Sequence, residues 1–143
     1  MQSINFNSGY KTYALNGDES CTIRINTADM NLPARFGQSQ KELAAVADEM
    51  RQTGEPSPSQ LAEFDRRVRE QINFVFGSDV CTAAFGTANC MSALEDGRLL
   101  FESFLDALIP VIEQDIAVKL EAVRKRSQER MNKYIGQATG EPQ

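Results

Sequence analysis

Two Phe-Gly dipeptides nine residues apart, Phe76-Gly77 and Phe85-Gly86 in the run INFVFGSDVCTAAFG, restrict the middle of this chain more than any other feature. A glycine just past an apolar-periodic segment stops a helix, because it takes the left-handed conformation that lets the last carbonyls find partners. Two stops in succession enclose a helix too short to be stable alone. The pattern predicts a long helix ending at Phe76, a corner, a short helix over Asp79 to Phe85 and a second corner at Gly86. Ser78 is placed to cap the short helix, and Asp79 to favour its dipole.

The helix leading into the first stop is sharply periodic. Leu61, Phe64, Val68, Ile72 and Val75 fall at steps of three and four, with RRVRE on the outer face. Before it, TGEPSPS (Thr53 to Ser59) is a breaker cluster that joins two helices and is too short to separate domains. Further upstream, Thr27 or Asp29 caps a turn through Met30 to Phe36, and Pro33 suits a first helical turn. Ser39 followed by Glu42 is a capping-box pattern, with Leu43, Val46, Ala47 and Met50 at helical spacing after it. The segment reads either as one kinked helix or as two pieces split at Gly37.

The first 27 residues read as β. Ser3 to Phe6 is short and alternating. Tyr10 to Leu15 and Cys21 to Ile25 flank Asn16-Gly17-Asp18-Glu19, a hairpin signal with a turn expected to exceed two residues. Cys21, Ile23 and Ile25 share one strand face, with Thr22 and Arg24 on the other. A hairpin is marginal alone, so it needs a third strand, a helix or another subunit.

Beyond the second stop, Thr87 to Asp96 reads as a loose connector. From Gly97 the longest helix begins, with Leu100, Phe101, Phe104, Leu105, Leu108, Ile109 and Ile112 on a wide apolar face. That face continues sparsely through Ile116, Leu120 and Val123, then thins to Met131 and Tyr134. Pro110 lacks an amide hydrogen and predicts a kink, not a break, because the periodicity resumes in phase. Residues 137–143 read as a disordered polar tail. The expectation is an α+β chain, mostly helical. It has one domain over residues 1–136, with a β-hairpin or small sheet in 1–27, helices in 28–136 and a long kinked C-terminal helix.

Composition removes most chemistry. The 143 residues contain no histidine, hence no Ser-His or Cys-His nucleophile and none of the commonest metal ligand. Cys21, Cys81 and Cys90 are an odd count without CxxC spacing, which reads as reduced thiols and falls short of a four-cysteine zinc site. Glu102, Asp106, Glu113 and Asp115 line one helix, but Glu102 and Asp106 lie away from the apolar stripe and read as solvated surface. No phosphate-binding glycine loop is present. The expectation is a non-enzyme with no cofactor and no metal. No apolar run approaches the ~18 residues of a membrane span, and the opening lacks a secretory signal pattern, so a cytoplasmic protein is expected.

Net charge is -5, unevenly spread. Residues 1–118 hold 9 Lys+Arg against 17 Asp+Glu, whereas residues 119–143 hold 6 against 3. The basic stretch offers Arg124, Lys125, Arg126, Arg130 and Lys133 as nucleic-acid contacts in one alternative reading. Two interrupting glutamates and the acidic remainder argue against it and for a solvated helix end. Phe74, Leu99 and Val111 lie off the main stripes of their helices, and such surplus apolar area marks a partner site or a subunit interface. The expected partner contacts are Phe74, Phe76, Phe85, Phe101 and Phe104.

The order of elements is more specific than any one motif. An opening of the form INFxSGYKTYxLxG (Ile4 to Gly17), the FGxxxCxxxFG region (Phe74 to Gly86), an LFExFLxAxxPxIE helix (Leu100 to Glu113) and its finish near Asn132 to Tyr134 together resemble the tail assembly chaperones of long-tailed bacteriophages of Gram-positive hosts. The resemblance implies a non-enzymatic role in the host cytoplasm. Such proteins coat the tape measure protein, keep it from aggregating and yield to tail tube subunits; many are made in two lengths by frameshifting. Self-association is expected. No catalytic or ligand residue transfers, because the family lacks a settled motif. The competing readings are a structural tail or head-completion protein of the virion, and a small nucleic-acid-binding regulator.

Overall fold

The structure, a computed structural model, describes residues 1–138. Its order is β1 (Tyr10–Leu15), β2 (Asp18–Asn26), α1 (Leu32–Thr53), α2 (Pro58–Phe76), α3 (Cys81–Phe85) and α4 (Leu100–Ala138). The expected α+β class, mostly helical with an opening antiparallel hairpin and a long last helix, is what is observed. Packing gathers the chain into two units, Met1–Leu108 and the stretch from Ile109 onward. The polar tail expected over 137–143 lies outside the described residues except at 137–138, where the backbone is still helical.

β1 and β2 are antiparallel, with Thr12 opposite Arg24 and Tyr13 opposite Ile23. The turn is tighter than the sequence suggested: Asn16 (φ 53) and Gly17 (φ 74) alone close it, the two-residue primed form that matches strand twist. The surplus residues Glu19, Ser20 and Cys21 are instead absorbed by an irregularity between Ala14 and Leu15. Ile23 and Ile25 are buried and Thr22 and Arg24 exposed, as the alternation required. Ser3 to Phe6 is not a strand; all of residues 1–8 are exposed. Arg24 crosses the outer face over the Tyr10 ring at 4.1 Å.

α1 runs unbroken through Gly37, so Ser39 is no cap but a buried residue inside the helix. Tertiary packing overrides the local capping pattern there, and Glu42 turns instead to Arg67 of α2 at 2.7 Å. α2 packs on α1. The Ser57 side chain accepts from the Gln60 amide while the Gln60 side chain accepts from the Ser57 amide, a complete capping box with Pro58 in the first turn. Arg35 of α1 donates to the Val75 carbonyl at 2.9 Å and pairs with Asp29 at 2.8 Å, tying the end of α2 to the loop after the hairpin. The Asn31 amide and the Arg35 guanidinium together hold the Asp29 carboxyl below its ordinary pKa.

Gly77 ends α2 in the left-handed conformation (φ 67, ψ 16), its N–H donating to the Phe74 carbonyl. A side chain there would meet nothing closer than Arg35 Nη2 at 3.7 Å, so the cost of adding one is conformational alone. Gly77→Ala should therefore destabilise by about 1–2 kcal/mol, read as a lowered urea midpoint with an unchanged slope. Gly86 also has positive φ (58), but its ψ of -128 lies outside the left-handed region, so the second corner is not a repeat of the first.

α4 continues through Pro110 without a break. Its first turn is prepared by the connector before it. The Leu100 and Phe101 amides donate to the Ser92 and Cys90 carbonyls, and Glu102 accepts from the Leu99 amide at 2.8 Å. Leu99, which its position off the stripe suggested was surplus, is buried, and Ala93 and Leu99 form an isolated β-bridge. Thr87 to Asp96 is thus a folded connector, with Cys90 and Met91 fully buried. Among the described residues no helix is long and apolar enough to cross a membrane.

Candidate partner-binding surfaces

The elbow between α2 and α4 is held by polar side chains reaching out of α2. Asn73 Oδ1 accepts from the Val80 and Cys81 amides, and Asp79 accepts from the Thr82 amide and hydroxyl. Those residues cap α3. Ser78, expected to do so, donates instead to the Arg24 carbonyl of β2 at 2.9 Å. The Thr82 hydroxyl and amide hold the Asp79 carboxyl below its ordinary pKa.

About two turns earlier on α2, Asp65 accepts from the Cys90 amide at 2.8 Å and pairs with Arg69 at 3.0 Å. Arg69 also donates to the Gly86 and Ala88 carbonyls, and Asn89 donates to the Leu61 carbonyl. Arg67 bridges Glu42 and Glu49 of α1. The arginines read as an outer face are therefore divided. Arg66 stays on the surface with Glu63 and Glu70, while Arg67 and Arg69 staple α2 to its neighbours. Burial works against the Asp65 charge, but the Cys90 amide and Arg69 outweigh it and keep its pKa low.

This scaffold sorts the phenylalanines. Phe76, Phe85 and Phe101 are core, each under a tenth exposed, which corrects their assignment as partner contacts. Their rings already have their apolar surroundings within the chain. Phe104 is half-buried and meets Phe85 edge-on, centroids 5.4 Å apart, while Arg69 lies over the Phe85 ring at 5.5 Å. Of the five expected contacts Phe74 alone is open, at 48% exposure. It sits off the buried stripe of Phe64, Val68, Ile72 and Val75, as its spacing indicated.

Glu102, read as solvated, pairs with Arg51 at 2.6 Å besides capping α4. Burial opposes its charge, but Arg51 and the Leu99 amide prevail and lower its pKa. Asp106 remains at the surface beside Arg98, and Glu113 is exposed.

The second unit presents a different surface. Every residue from Leu120 to Ile135 is exposed, yet Leu120, Val123, Met131, Tyr134 and Ile135 are large and apolar. Leu120, Val123, Met131 and Tyr134 recur at helical spacing on one face, interrupted only by Ser127. By the same periodicity Lys119, Arg126, Arg130 and Lys133 fall along one flank of that stripe. Arg124 pairs with Glu121 at 2.6 Å, while Lys125, Arg126 and Arg130 are exposed.

Among the described residues, no group of three or more Cys, Asp or Glu is placed to hold a metal. The three cysteines are free thiols. Burial pushes the Cys81 thiol up to about 12 and raises Cys90 also, the latter with Asp65 adding to the effect. Both stay protonated and unreactive in the folded protein. Cys21 is half-buried, its thiol 3.2 Å from the Ala83 carbonyl. A thiol reagent should label Cys21 alone in the native state, and Cys81 and Cys90 only at the rate of unfolding.

Comparison with known proteins adds no name: no protein-family model, curated protein or solved structure matches the chain.

Proposed function

We propose that this protein is a tail assembly chaperone of a long-tailed bacteriophage. It acts in the host cytoplasm, performs no chemistry, holds the tape measure protein soluble and gives way to tail tube subunits. One observation carries the reading. A helical stretch from Leu120 to Ile135 exposes large apolar side chains at helical spacing beside a row of cations. An exposed apolar stripe of this kind favours a helical partner, packed face to face as amphipathic helices pack. Phe74 offers a second exposed apolar position on the first unit. Each contact returns only ~25 cal/mol per Å² of apolar surface covered, so holding a long client needs many copies acting together.

The order of hairpin, paired helices, Phe-Gly elbow and Leu-Phe-rich helix supports the same reading through its resemblance to that family. The test is co-purification. A tagged tape measure fragment should retain the full-length protein and lose a version ending before Lys119. Retention of both forms equally would reject the stripe as the binding surface. Mass spectrometry of finished particles separates a chaperone from a structural tail or head-completion protein, since a chaperone is absent from them.

A regulator that binds nucleic acid is the second reading, favoured by the exposure of Lys125, Arg126 and Arg130. It requires a gel shift that weakens steeply with salt and disappears when 119–143 are removed. The row of apolar side chains among those cations favours a protein partner over phosphate.

A further inference from the structure

The hairpin leaves two halves of one interaction unused. The sheet has only two strands, so among the described residues no strand lies beside the outer edge of β1. An unpaired edge is a template for another strand. The direction of that edge follows from the register. The two-residue turn faces Leu15 toward Asp18, and backbone groups alternate sides along a strand, so Tyr10, Thr12 and Ala14 direct their N–H and C=O groups outward. The Arg24 carbonyl agrees, because it leaves β2 on the side away from β1 to accept from Ser78, and Thr12 is its register partner.

The segment before β1 supplies the other half. Residues 1–8 are exposed, and Ile4 (85%) and Phe6 (78%) alternate with Ser3, Asn5 and Asn7 in strand fashion. Gly9 fixes how this arm leaves the sheet. Its φ is +89, its amide donates to Asn7 Oδ1, and a side chain there would come within 2.5 Å of Ala28 Cβ and 2.7 Å of Asn26 Oδ1. The chain therefore turns at Gly9 against a wall that admits no side chain, and residues 1–8 before it lie exposed.

We propose that residues Ser3–Asn7 of one copy of this chain add as a third strand to the outer edge of β1 in a second copy. Main-chain hydrogen bonds to Tyr10, Thr12 and Ala14 supply the attraction, the mode by which extended peptides extend sheets. Ile4 and Phe6 then widen the apolar face on which Tyr13 and Leu15 are only half-buried. Donor and acceptor lie on the same chain, so one contact repeated between identical copies satisfies both. The proposal does not depend on what client the protein binds.

Sedimentation across a wide concentration range tests it on the full chain. The wild type should associate with rising concentration. An arm variant, Ile4→Asp with Phe6→Asp, should stay monomeric, or associate at least about tenfold more weakly, and should melt with the wild type at concentrations where both are monomeric, because both side chains are exposed. An edge variant, Thr12→Pro, removes an outward N–H, a place where an edge strand tolerates proline, and should also stay monomeric. Mixing the two restores a dimer, since one retains the edge and the other the arm. If Thr12→Pro loses its hairpin, the arm variant decides alone. A wild type that is monomeric throughout overturns the proposal, as does an arm variant that associates like the wild type. Arm amides protected from exchange regardless of concentration would place the arm on its own β1, and that also overturns it.

Discussion

Phe76→Ala should destabilise the first unit by about 3–5 kcal/mol, whereas Phe74→Ala, two residues away, should change stability by less than about 0.5 kcal/mol. Phe76 is 4% exposed and Phe74 is 48% exposed. The contrast follows from helical geometry. Val68, Ile72, Val75 and Phe76 descend one face of α2, and position 74 points off that face. Truncating Phe76 removes a ring from close-packed surroundings and leaves a cavity at the point where Gly77 turns the chain. Phe74→Ala removes a ring largely in water. For a unit of this size the first change lowers the melting temperature by more than about 10 °C, and the second leaves it nearly unmoved. Equal melting temperatures for the two variants would mean that the elbow does not pack as described.

Asp65→Ala is the second large expected effect, about 2–3 kcal/mol. The carboxylate accepts from the amide of fully buried Cys90 and pairs with Arg69, so its loss orphans a donor and leaves the guanidinium without its anion. Acid should reproduce part of this loss. The folded pKa of Asp65 is lowered, so its stabilisation is fully present above the unfolded value of about 3.9 and disappears as pH falls through the folded one. Urea midpoints of wild type and Asp65→Ala should differ most above about pH 4 and converge below it. Asp29, Asp79 and Glu102 shift in the same direction, so acid should also weaken the variant, by less than the wild type. A gap that stays constant down to about pH 2 would show that the Asp65 charge contributes nothing.

What the chain announces in its sequence is what local periodicity governs. Phe64, Val68, Ile72 and Val75 declared the buried face of α2 because a 3.6-residue repeat needs no knowledge of the rest of the fold. Asn16-Gly17 announced the hairpin for the same reason, although the length of its turn depended on where β2 absorbed its surplus residues. Ser39 misled because a capping box is a local pattern, and α1 gains more by continuing through Gly37 onto α2. The staples of the elbow were invisible for a different reason. Asp65 and Cys90 are 25 residues apart, as are Arg67 and Glu42. The i,i+4 spacing of Asp65 and Arg69 was legible, but not that both also reach another segment. Phe74 could be separated from the core by its spacing. Phe76, Phe85 and Phe101 could not, since an apolar pattern marks a face to be covered without saying whether this chain or a partner covers it.

The most direct measurement is the soluble fraction of a tape measure fragment co-expressed with this protein or with its Leu120→Glu/Val123→Glu variant. Both substitutions fall at exposed positions of α4, at 49% and 62% exposure, and leave a good helix former in place. The wild type should hold most of the fragment in the supernatant. The variant, equally helical by circular dichroism, should let it pellet. A fragment that stays soluble with the variant, or that pellets equally with the wild type, would contradict a chaperone working through this helix.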